Sequence, residues 1–124
     1  MRKLFFAIIL AVLTVAVFQS VRSGGLVWRD PIALRDAGLG AEAGATSIRH
    51  LWQPHFGHRF TPVPATVWQL YVKLLPSSVK ATPAALHSLS VFLHAANAIL
   101  IFLLLVTLVE SEWAAFWGAA LFAV

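Results

Sequence analysis

The chain has 124 residues, 60% hydrophobic and only 11% charged, with a net charge of +4 and no cysteine. A soluble domain carries about a quarter charged residues, so this composition points to a membrane protein. The lack of cysteine excludes disulfides, thiolate metal sites and cysteine nucleophiles. The few basic residues, spread singly through one segment, give no nucleic-acid footprint and suit an anionic membrane surface or a phosphorylated lipid better.

Arg2 and Lys3 precede the apolar run LFFAIILAVLTVAVF. A basic start followed by an apolar core is the layout of a signal peptide, with Val21-Arg22-Ser23 before Gly24 as a passable cleavage site. The apolar core runs on to Val21, however, close to spanning length. The reading preferred is an uncleaved first transmembrane helix over residues 1–21.

Residues 22–82 form a long loop that holds seven of the nine Lys and Arg residues. Its first half, SGGLVWRDPIALRDAGLGAEAGATS, is rich in Gly and Ala and is expected to be irregular. Thr46 or Ser47 then offers an N-cap for a short helix through His50 to Gln53, which Pro54 stops. Pro62 and Pro64 read as punctuation before a second short helix, ATVWQLYVKLL, which Pro76 ends. Trp68 and Tyr71 on it are side chains that favour the membrane interface. Both short helices are expected to lie against the bilayer surface; a loop tail with incidental aromatics is the plainer alternative.

A second span is expected over 83–109, since no charged side chain occurs between Ala81 and Val109. The acidic turn Glu110-Ser111-Glu112 follows. Residues 113–124 read as the start of a third span, because a crossing helix needs about 20 residues and only about a dozen follow Glu112. The sequence is therefore read as the N-terminal part of a larger protein. Neither an internal repeat nor a low-complexity tract is visible. The fold class expected is an all-α membrane protein: transmembrane helices with a long first outer loop carrying short interfacial helices.

The second span is polar in its first half, HSLSVFLHAAN. At 100° per residue, His87, Ser90, His94 and Asn97 share a stripe about 80° wide. Polar groups in hydrocarbon are costly unless they face protein or water. The stripe therefore implies a packed or water-lined face near one membrane surface. Packing against neighbouring helices is the plain reading; a ligand site is the second. Ligation of haem or metal by His87 and His94 is the third and weakest, since two turns separate them. His50, His55 and His58 in the loop lack any neighbouring carboxylate and have aromatics between them, so interfacial histidines are preferred to a metal site there.

Together these motifs resemble the GT-C class of polytopic glycosyltransferases, in the branch of the transmembrane-and-TPR O-mannosyltransferases and their bacterial relatives. That branch opens its second span with H-x-x-N-x-x-x-H-x-x-N; here the pattern is His87, Ser90, His94, Asn97, with Ser90 in place of Asn. An upstream R-[YF]-[ST]-P motif followed by a short helix matches Arg59-Phe60-Thr61-Pro62. An acidic pair usually follows the first span within a W-D-D-P-like string. Here that string is Trp28-Arg29-Asp30-Pro31, so Arg29 replaces one acid. The resemblance covers nearly the whole chain.

The resemblance implies transfer of a sugar from a polyprenyl phosphate carrier to a protein or glycan acceptor on the outer face. Asp30 would be the catalytic base that takes the acceptor proton. Arg59, then Arg29, with His58 beside them, would bind the lipid phosphate. His87, Ser90, His94 and Asn97 would line the cavity or brace it. Taken without the resemblance, Asp30 reads as an Asp-Pro turn initiator and Arg59 as a snorkelling cation. No cofactor is specified, and a divalent metal in a longer parent is left open. The N-terminus is expected in the cytoplasm and loop 22–82 outside it. The charge rule argues the other way, but the loop is near the length, about 60 residues, at which that rule loses force. The alternative function is a small non-enzymatic membrane scaffold or assembly subunit.

Overall fold

The computed structural model describes residues 1–27, 30–39, 47–54, 60–76 and 82–124, and these are all helix, turn or irregular chain with no strand among them. The elements are α1 (Arg2–Phe18) continued by a 3-10 turn (Gln19–Ser23), α2 (Asp30–Asp36), α3 (Ile48–Leu51), α4 (Pro62–Leu74), α5 (Pro83–Val109) and α6 (Glu112–Ala123). The chain divides into two compact units. One is Met1–Ser23 with His87–Val124; the other is Gly24–Leu86.

In the first unit α1 packs on α6 through two stripes with a spacing of four residues. Phe6, Leu10 and Thr14 are buried on α1; Ala115, Ala119 and Ala123 are buried on α6. Residues four apart stack on one helix face, and alanine lets two backbones approach closely. Thr14 resolves its own polarity by donating its hydroxyl to the Leu10 carbonyl at 2.9 Å. Ala98 and Phe102 of α5 complete this core. Phe6 is its hub, with the rings of Phe102, Trp113 and Phe116 centred 5.9, 5.1 and 4.9 Å away.

The turn between α5 and α6 has a stated chemistry. Glu110 takes φ 58°, the left-handed conformation that ends many helices and usually falls to Gly or Asn. Ser111 then caps α6, its hydroxyl accepting the Ala114 N–H at 3.4 Å. The sixth helix, α6, read from the sequence as the start of a third span, therefore begins at Glu112, one residue before the expected Trp113. Arg2 Nε lies 3.6 Å from Glu112 Oε2, so the N-termini of α1 and α6 share one end of this unit.

In the second unit α4 is the central element. Leu34 of α2, Val72 of α4 and Leu86 at the start of α5 form one cluster, and Ala37, Leu51 and Ala65 another; Leu39 and Trp68 touch both. Gln69 donates to the Ala37 carbonyl at 2.9 Å. The Trp52 indole donates to Thr66 Oγ1 at 3.2 Å, tying the end of α3 to α4. Thr82 caps α5 by accepting the Ala85 N–H at 3.3 Å, with Pro83 in the first position, where its missing N–H costs nothing.

Three expectations are corrected. Residues 30–36 are helical rather than irregular. Asp in the first turn and Arg35 in the last complement the helix dipole, and this outweighs the Gly- and Ala-rich context. Pro62 and Pro64 do not precede the fourth helix but open it, since proline's fixed φ suits the first turn. Trp68 is not an outward anchor, because its ring packs into both clusters of the second unit.

Candidate functional site

Two helical stretches are long and apolar enough to cross a membrane, Arg2–Ser23 and Pro83–Val109. Less than a quarter of each is buried within the protein. The α5 face bearing Leu100, Leu104 and Leu108 is exposed, as are Ile8, Val12 and Val15 on α1.

The four stripe residues of α5, His87, Ser90, His94 and Asn97, do not share one environment. His94 is half-buried between two aromatic rings, Phe18 edge-on at 5.2 Å and Phe122 tilted at 5.1 Å. It is therefore wedged between α1 and α6. His87 is half-buried, and its Nε2 is a buried atom with no hydrogen-bond partner. Ser90 and Asn97 are exposed. At 100° per residue the buried face of α5 runs through Val91, Ala98 and Phe102. The two histidines lie at its edge, and Ser90 and Asn97 lie beyond it.

One polar contact in this unit has no counterpart in the motifs read from the sequence. Arg22, at the end of the 3-10 turn, donates from Nε to Ser88 Oγ at 3.0 Å. It joins the end of the first apolar stretch to the first half of α5. The only sequence signal for it is a lone arginine after an apolar run.

Asp30 occupies the first turn of α2, and its carboxylate has a local task. Oδ2 accepts the Val27 N–H at 3.1 Å while the Asp30 N–H donates to the Val27 carbonyl, also at 3.1 Å. This reciprocal pair resembles half of a capping box, in which an acid reaches back to an unpaired N–H before the helix. Asp30 lies in the second unit and the polar residues of α5 in the first. Asp36, near the end of the same helix, is half-buried.

Arg29, His58 and Arg59 lie outside the described residues, as does Trp28 of the Trp-Arg-Asp-Pro string and His55 of the loop histidines. Among the described residues no three His, Asp or Glu side chains are grouped closely enough to hold a metal ion.

No family model matches the sequence, and no curated protein or solved structure matches it either.

Proposed function

We propose that the chain is an integral membrane protein in which α1 and α5 cross the bilayer, with residues 24–82 on the extracytoplasmic side. The observation that carries this is the uncovered apolar surface of both long helices. Burying apolar surface is worth about 25 cal/mol per Å². Leaving two such helices bare to water has no compensation in the described residues, and hydrocarbon supplies it. Away from its two end turns a helix pairs its backbone polar groups internally, which is what hydrocarbon demands. His94, the ionisable side chain deepest along α5, is shielded by Phe18 and Phe122.

Within that setting the reading preferred is a glycosyltransferase using a polyprenyl phosphate sugar. The acceptor hydroxyl would attack the anomeric carbon, and the bond from that carbon to the phosphate oxygen would break. The hydroxyl proton would pass to Asp30, and the lipid phosphate would leave into the hold of Arg59 and Arg29. The motif resemblance supports this, as does the placement of Asp30, half-buried, in the first turn of α2. Its Oδ2 accepts the Val27 N–H, and a carboxylate has further lone pairs with which to act as base.

A second reading, a non-enzymatic scaffold, is favoured by that same Val27 bond, which gives Asp30 a sufficient structural task. Asp30→Asn separates the two. An amide oxygen still accepts the Val27 N–H, but the side chain no longer takes a proton. Transfer of labelled sugar from a polyprenyl phosphate carrier would be measured in membranes from cells expressing the complete reading frame, at matched protein levels. The transferase reading expects a loss of about 10²–10⁴-fold in rate. Turnover near the wild-type level would reduce Asp30 to a cap.

A further inference from the structure

The fourth helix is apolar on two opposite faces. At 100° per residue, Ala65, Trp68, Gln69 and Val72 lie on one side and are buried or half-buried against α2 and α3. Val63, Val67, Leu70 and Leu74 form a stripe about 60° wide on the other side. These four are between 36% and 84% exposed. Tyr71 borders the stripe on one flank, and Thr66 followed by the exposed Lys73 lies on the other. A helix that buried only what its own unit needs would be polar on its outer face. This one is not, so its outer stripe is built for a second apolar surface.

Connectivity identifies that surface. The second unit follows directly on the first stretch of membrane-crossing length, at Ser23–Gly24, and its last residues, Pro83–Leu86, open the second. From Leu74 the chain reaches Pro83 in nine steps, a span of at most about 30 Å when fully extended. A bilayer crossed by α5 is thus always within reach of α4. The side chains at the stripe's edges are those of an interface. Tyr has an apolar ring and a polar tip, and Lys lays its alkyl stem along apolar surface while its ammonium reaches headgroup phosphates.

We propose that α4 is a membrane-surface helix that seats Val63, Val67, Leu70 and Leu74 in the outer boundary of the bilayer. The proposal rests on the membrane reading of α1 and α5. It differs from what the aromatic residues suggest, because Trp68 faces the protein core and the aliphatic stripe faces lipid. It also has a consequence for chemistry. Leu34 of α2 packs on the α4 face opposite the stripe, and helices in contact lie about 8–10 Å apart. Seating α4 in the interface therefore holds α2, and with it Asp30, one helix layer above the lipid, at the depth of the headgroups and the water beyond them.

The natural absence of cysteine makes the test direct. Single substitutions Val67→Cys, Leu70→Cys, Arg35→Cys and Leu104→Cys would each be labelled with an environment-sensitive fluorophore. The full chain would be reconstituted in phosphatidylcholine vesicles containing a fraction of phosphatidylglycerol. Quenchers would be carried either near the headgroup or deep in the acyl chain. Labels at 67 and 70 are expected to be quenched by the shallow lipid, the label at 104 by the deep lipid, and the label at 35 by neither. Leu70→Glu combined with Leu74→Glu is expected to abolish quenching at 67 while the helical circular dichroism is retained.

Quenching at 104 without any at 67 and 70 overturns the proposal and leaves the membrane reading standing. Protection at 67 and 70 that persists in detergent and grows with protein concentration overturns it in favour of a second copy of the chain. A label at 104 that no lipid quenches overturns the membrane reading and this proposal with it.

Discussion

Phe5 and Phe6 are the same residue type at the same depth of α1, yet the structure gives them opposite fates. Phe6 is 4% exposed and Phe5 61%. Phe6 touches three aromatic rings on two other helices, whereas among the described residues Phe5 meets only the ring of Phe6 itself, at 6.1 Å. Aromatic pairs contribute about 0.5–1.5 kcal/mol each beyond area burial. Three of them, plus the void left by the ring, set the cost of Phe6→Ala at about 3–5 kcal/mol, the usual range for a buried Phe. In lipid the transfer part shrinks, because the unpacked helix also sits in hydrocarbon, and packing dominates. We therefore expect the lower end, about 3 kcal/mol. Phe5→Ala should cost under about 1 kcal/mol, the range of ordinary surface changes. Reversible unfolding in mixed detergent micelles, followed by circular dichroism, reads both. Equal costs, or a larger cost at Phe5, would refute the packing of α1 against α5 and α6.

Four smaller predictions follow from single contacts. Glu110→Gly should stabilise by about 0.5–1 kcal/mol, since it removes a side chain from a left-handed position; a loss of thermal stability would contradict that turn. Ser111→Ala should cost about 0.5–1 kcal/mol, the low end for a lost N-cap, given the long 3.4 Å bond, seen as a lower unfolding midpoint. Gln69→Leu leaves the buried Ala37 carbonyl without this donor and should cost about 1–3 kcal/mol, with faster proteolysis of the second unit as the readout. Neutralising Glu112 with Gln should cost no more than about 1 kcal/mol and less at high salt, because the Arg2 side of the pair is largely exposed; a large, salt-independent loss would contradict a solvent-screened pair.

The long elements were legible in the sequence because hydropathy over 20 or more residues is a strong signal. Residues 2–23 and 83–109 stand where the apolar runs put them. The helix ends were partly legible too: Ser47 precedes α3, although its side chain makes no capping hydrogen bond, and Pro76 follows the end of α4, displacing the preceding residue from helical geometry. What the sequence hid was a matter of choice between equivalents. Asp30-Pro31 serves a turn or a helix start equally well, and only the Val27 contact and the Arg35 end decide for the helix. Both faces of α4 offer apolar side chains, and α2 and α3 select the one bearing Trp68. In α5 the polar stripe was visible, but its width concealed a division. The neighbours of His94 come from Phe18 and Phe122, which are distant in sequence, and no periodicity within α5 reveals that Ser90 and Asn97 fall outside that contact.

The central claim is that α1 and α5 each cross the bilayer, with residues 24–82 outside. Lys3→Cys, Gln53→Cys and Ser111→Cys would be introduced singly and exposed to a membrane-impermeant maleimide in intact cells and again after permeabilisation. The account predicts labelling at 53 in intact cells, and labelling at 3 and 111 only once the membrane is opened. Labelling of all three positions alike in intact cells, or of 3 and 111 but not 53, would contradict it.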